Sequence, residues 1–154
     1  HGQGLHEHQL RVPLIMRVPK QRPSVVTQRA SLIDIAPTLL DLAGVAEDEQ
    51  QRALMTMRGR SLLPYLDPDS KQDPHRELFA EMPPGPYNKA QMAFLSGEWK
   101  LIHTAEGNRY SLFNLSRDPA EQRNVAQSQL ETFADMKEKL QRFRAGLKPI
   151  RATP

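Results

Sequence analysis

The chain has 154 residues, 38% of them hydrophobic and 25% charged, with a formal net charge of +3, enough for one ordinary domain or two small units with a thin core. Its 13 prolines against 8 glycines favour short elements joined by stiff connections. There is no cysteine, which excludes disulfides, thiolate metal sites and cysteine nucleophiles, and no apolar run approaches the roughly 20 residues that span a bilayer.

The opening stretch, HGQGLHEHQLRVPLIMRVP over 1–19, holds three of the five histidines, a Gly-x-Gly and an apolar run closed by proline. The chain begins with His rather than Met, inside what reads as a motif, so it is expected to be a piece of a longer protein with any targeting segment upstream. His6-Glu7-His8 is not the zinc-protease pattern, because Leu10 stands four residues after His6. In extended chain His6 and His8 would point the same way, as half of a metal site; two ordinary loop histidines are the plainer reading. His1-Gly2 allows close approach of a ligand to the backbone, which makes His1 a candidate for anion contact or proton transfer. Gly2-x-Gly4 is too short for a dinucleotide fingerprint, and there is no P-loop and no Gly-x-Ser-x-Gly elbow.

Leu10–Val18 is a short, mainly apolar run, as in a strand covered on both faces; Pro13 leaves extended chain before it and a strand over Leu14–Arg17. Lys20–Pro23 is a turn. Ser31 and Asp34 read as a near capping box that starts a short turn over 31–35, and Pro37 fits the first turn of a helix over about 36–42, closed by Gly44. Residues 46–60 are polar and surface-like, 59–66 give a helical turn after Ser61 broken by Pro64, and 67–77 is a solvated connection that holds His75.

From Glu77 the pattern changes to strands: ELFAEM, a loop over 83–89, then MAFLS, WKLIHT and YSLFNL with turns at Gly97 and at Glu106-Gly107-Asn108. In the middle strand Trp99, Leu101 and His103 share one face and Lys100, Ile102 and Thr104 the other. Asp118-Pro119 reads as the cap and first position of a helical turn. The last element is a helix over about 128–145, its apolar stripe lying on the sheet. Six basic residues against one acid over 137–151 suit a solvated face near a helix C-terminus. No nucleic-acid-binding pattern accompanies them.

An ordered set of these motifs resembles the sulfatases of the alkaline-phosphatase superfamily. HGQGLHEHQLRVPLIMRVP is similar to their His/Lys-Gly segment leading into Arg-Val-Pro-Leu and a strand. SLIDIAPTLLDLAGV and GRSLLPYL are similar to the helix and turn that follow, and GEWKLIHT with YSLFNLSRDPAEQRNVA to the closing signature. The resemblance implies an α/β fold: a C-terminal fragment with a strand and helices of the large sheet domain over 1–76. A small antiparallel four-stranded sheet with a C-terminal helix would follow over 77–154.

It also implies hydrolysis of sulfate esters, small-molecule or glycan, by a formylglycine made from Cys or Ser in a Cys/Ser-x-Pro-x-Arg motif, with a calcium ion held by carboxylates. This chain contains no such motif, and the resemblance puts the calcium ligands upstream with the rest of the protein. His1 is the one position that matches an active-site residue, a contact to the sulfate oxygens. Arg11 is expected to pair with a carboxylate such as Glu7 or one from the missing part of the protein, Asp34 and Thr38 to tie down the helix start, and Asp118, Glu121 and Asn124 to cap and brace a turn that docks the last helix. The insert 83–90 and Trp99-Lys100 are expected to shape specificity. Periplasmic, secreted or lysosomal placement is common in the family that this chain resembles. Two readings stand beside this one: a related phosphonate monoester hydrolase or phosphoethanolamine transferase, and a stand-alone binding module.

Overall fold

The structure is a computed structural model and describes residues 4–45, 59–67, 69–70, 73 and 76–147. It divides into two compact units, His1–Leu14 with His75–Pro149 and Ile15–Pro74 with Ile150–Pro154.

The first unit is built on a sheet of four antiparallel strands in sequential order: β1 (Leu78–Met82), β2 (Gln91–Ser96), β3 (Trp99–Thr104) and β4 (Arg109–Asn114). Each connection has the residues its geometry requires. Gly97 lies at φ 56 in the two-residue link where Ser96 pairs with Trp99. Gly107 at φ 72 and Asn108 at φ 46 carry the wider turn between β3 and β4. Register places Phe94, Leu101 and Leu112 side by side across the sheet. That row packs against Ala126, Met136 and Leu140, so the helix α3 (Leu130–Ala145) covers this face, as its spacing of apolar residues predicts.

The opposite face carries Ala93, Ile102 and Phe113, covered by Leu5 and Leu10. The helical turn α1 (Glu7–Leu10) therefore lies on the sheet rather than in extended chain. The outer edge of β4 is closed without a fifth strand. The Asn124 carboxamide oxygen accepts the Leu112 N–H at 2.9 Å, and the Val125 N–H donates to the Leu112 carbonyl at 2.9 Å.

In the second unit a 3₁₀ turn (Leu32–Asp34) leads directly into α2 (Ile35–Leu42), and Gly44 at φ 68 ends it. This is the two-piece arrangement that Pro37 predicts, with proline in the first turn of α2. Two local expectations are corrected. Leu14–Arg17 is not a strand: these residues have no regular structure, and Ile15 is 93% exposed. A strand needs a neighbour to pair with, and among the described residues none lies beside this one. Pro64 does not break its turn but stands in the first turn of a 3₁₀ helix, Leu63–Leu66, where a missing N–H costs nothing. The surface loop expected over 46–60 falls mostly outside the described residues, as does His75.

Met136 is 1% exposed beneath the sheet while Leu130 is 68% exposed on the same helix. Met136→Ala is expected to lower the unfolding free energy by about 2–5 kcal/mol and Leu130→Ala by no more than about 0.5 kcal/mol, measured by urea denaturation.

Candidate functional site

His1, the residue with the strongest chemical expectation, lies outside the described residues; the nearest described position is Gly4. From Gly4 onward the segment is held on the sheet, and its Glu7 carboxylate meets one buried cation.

Lys100 is in the middle of β3, between Leu95 and Phe113 in register, and its side chain is fully buried. An ammonium out of water persists only where carboxylates replace its hydration. Its Nζ lies 2.8 Å from Glu7 Oε1 and 2.9 Å from Glu121 Oε1. The second Glu121 oxygen accepts the backbone N–H of Glu7 and lies 3.3 Å from His6 Nδ1. Glu121 itself is held at φ 55, a left-handed conformation that a non-glycine residue adopts at a cost of about 1–2 kcal/mol. Three segments distant in sequence therefore meet at one point: α1, β3 and the loop after β4.

This cluster corrects three expectations. Lys100 does not face a substrate cleft; it is interior and paired, and Trp99 packs into the core under α3. Glu7 gives its carboxylate to Lys100, not to Arg11, whose backbone N–H donates to the Glu7 carbonyl instead. Glu121 does not merely brace a turn but receives the cation. His6 and His8 do stack, with centroids 5.9 Å apart, yet they do so in a helical turn, and His6 also meets the edge of Phe113. Among the described residues no group of three or more His, Asp or Glu side chains could hold a metal ion. The divalent cation implied by the resemblance has no fitting ligand set among these residues. Nothing in the sequence marks Lys100 as buried except its flanking by Trp99 and Leu101, and the closing motif marks Glu121 without naming its partner.

The remaining motif residues lock backbone. Asp34, fully buried, accepts the Ser31 N–H at 2.7 Å with one oxygen and the Arg60 N–H at 3.0 Å with the other. Thr38 donates to the Asp34 carbonyl at 2.6 Å and accepts the Leu62 N–H at 2.9 Å. Gly59 has no room for a side chain, since a Cβ would lie 1.9 Å from the Ile33 carbonyl oxygen. Together these contacts bind the 59–62 backbone to the start of α2.

Asp118 caps no helix. Its carboxylate accepts the N–H groups of Gln122 at 3.1 Å and Arg123 at 2.9 Å across an irregular loop. His103 stacks on Tyr110 at 4.3 Å with Nε2 3.0 Å from Asn108 Oδ1. The insert after β1 is a closed loop, Asn88 donating to the Pro83 carbonyl at 2.7 Å, with Tyr87 84% exposed.

The fold and its locked motifs define a class, the C-terminal region of sulfatases. The sequence profile described as "N-sulphoglucosamine sulphohydrolase, C-terminal" matches residues 3–146, and the chain belongs to that family. It is 34% identical over 129 residues to arylsulfatase K of Danio rerio, covering 80% of this chain and 24% of that protein. It is 31% identical over 140 residues to choline-sulfatase of Rhizobium meliloti, covering 85% of this chain and 26% of that protein. The solved structure of a 2-O GAG sulfatase superposes with a TM-score of 0.57 at 26% identity, over 71% of this chain and 23% of that one. The chain thus spans about a quarter of the length of the relatives it matches.

The backbone N–H groups of Arg123 and Gln122, in that order of effect, hold the Asp118 carboxyl below its ordinary range. A depressed folded value contributes order that is present above the unfolded value of about 4 and is lost as pH falls through the folded one. The amide resonances of Gln122 and Arg123 should move toward coil positions as pH drops below about 4, and Asp118→Asn should abolish that dependence. For the buried cluster, Lys100→Ala leaves two carboxylates facing each other, with an expected loss of about 3–5 kcal/mol in urea melts.

Proposed function

We propose that this chain is the C-terminal part of a sulfatase that hydrolyses sulfate esters, small-molecule or glycan, and that it has no activity alone. The observation that carries the reading is the family match over residues 3–146. In this reading 1–76 are the end of the catalytic domain and 77–154 its C-terminal subdomain. The formylglycine nucleophile and the calcium ligands would lie in the preceding part of the protein; no Cys/Ser-x-Pro-x-Arg occurs in this chain. His1 would contact the sulfate oxygens, where a donor or cation stabilises charge that develops in transfer.

A second observation favours a part over a stand-alone module. Ile15, Val25, Leu32, Ile33, Leu39 and Leu42, all in the second unit, are each at least 43% exposed. So many large apolar side chains in one small unit mark a surface meant to be covered.

Incubated with calcium and 4-nitrophenyl sulfate, the chain is expected to give no turnover. The longer protein that contains it should hydrolyse the ester. Clear hydrolysis by the chain alone would overturn the assignment of the nucleophile to another part, and an inactive longer protein would overturn the sulfatase reading.

A further inference from the structure

Helix α2 and the 3₁₀ turn before it carry their polarity inverted. On one side lie Asp34, Pro37, Thr38 and Asp41. The first three are buried, and the carboxylate of the fourth accepts the Ser61 hydroxyl. This is the side that holds the 59–62 backbone. On the opposite side lie Leu32, Ala36, Leu39 and Ala43, three or four positions apart and so in one stripe along the helix, and all four are exposed. Leu42 flanks the stripe and is exposed too. A helix at the surface of a finished domain turns its apolar stripe to the core and its polar face to water. In α2 the inner contacts are hydrogen bonds from buried polar groups, and water meets leucine. That is the pattern of a middle layer, with a further apolar layer due on its outer side.

The stripe also defines what fits it. It carries no charge, so its partner is an apolar face that needs no counter-charge. Leucines alternate with alanines, which gives ridges and hollows for close packing against a helix or a sheet. α2 has 8 residues, a length of about 12 Å. Two copies paired along such a length fall short of the ~1,200 Å² that a stable association of separate chains buries. A partner on the same polypeptide meets no such requirement, because the covalent link keeps it at high local concentration. The relatives have the length for one, since this chain spans about a quarter of theirs.

We infer that the outward stripe of α2 docks an apolar face of the preceding part of the same protein, so that α2 is an interior helix of the longer protein. This rests on the reading of the chain as one part of a longer sulfatase, but on its incompleteness rather than on its chemistry.

Leu39 is the residue to vary, because it touches water here and takes no part in the Asp34 and Thr38 contacts. Leu39→Asp is expected to leave the urea midpoint of this chain unchanged and to lower the Tm of the longer protein by about 5–10 °C, as an unpaired carboxylate would be buried there. Leu39→Met should keep both at wild type. Carbene labelling of the wild-type proteins is independent of any variant. Leu32 and Leu39 should be labelled in this chain and about fivefold less in the longer protein.

Equal labelling in the two proteins, or a Tm of the longer protein indifferent to Leu39→Asp, would overturn the inference. Protection of Leu32 and Leu39 already in this chain would overturn it too, with the mass in sedimentation separating a second copy from cover within the chain. Turnover of 4-nitrophenyl sulfate by the wild-type longer protein is measured alongside. Protection without turnover keeps the docking face and removes the sulfatase reading, and turnover without protection does the reverse.

Discussion

A lysine with no exposure is a demand on the rest of the molecule. Lys100 stands where alternation along β3 turns it to the face that carries Leu5, Ile102 and Phe113, so its charge has nowhere to go but into that core. Glu7 and Glu121 meet the demand from positions far apart in sequence. Their carboxylates can reach one Nζ only if the sheet has formed, the loop after β4 has turned through its left-handed residue, and α1 has laid itself down. The apolar cover on this face is small, four buried side chains and their neighbours. The ionic contacts therefore decide where the first segment lies, while the larger core under α3 supplies most of the stability of the unit.

The second unit solves a related problem with neutral and charge-assisted hydrogen bonds. Asp34 and Thr38 spend their polar atoms on backbone N–H groups of 60–62, and Gly59 permits the close approach. The polar groups face inward and several large apolar groups face outward, the reverse of a self-sufficient unit. The motifs that carry the family likeness are thus mainly devices that hold backbone in place.

Much of the fold was legible. The strand alternation of 78–114, the turn residues Gly97 and Gly107, the stripe of α3 and the capping pair Ser31–Asp34 are local patterns with local causes. What misled was equally local. Leu10–Val18 has the composition of a covered strand, but composition cannot provide the neighbour that a strand must pair with. Asp118-Pro119 has the form of a helix start, yet its carboxylate serves two N–H groups of an irregular loop. Of the site, only the motif residues could be named; that Lys100 was interior rather than displayed depended on partners 93 and 21 positions away.

Sequence alone determined the family, the four strands and last helix of 78–145, the helix start at Ser31–Asp34 and the absence of cysteine chemistry, because periodicity, capping and ordered motifs are written within a few residues of each other. Tertiary structure decided which charges are buried and with whom. A side chain of lysine or glutamate is equally at home in water or in an ion pair, and only the approach of a distant segment removes the water and makes the choice.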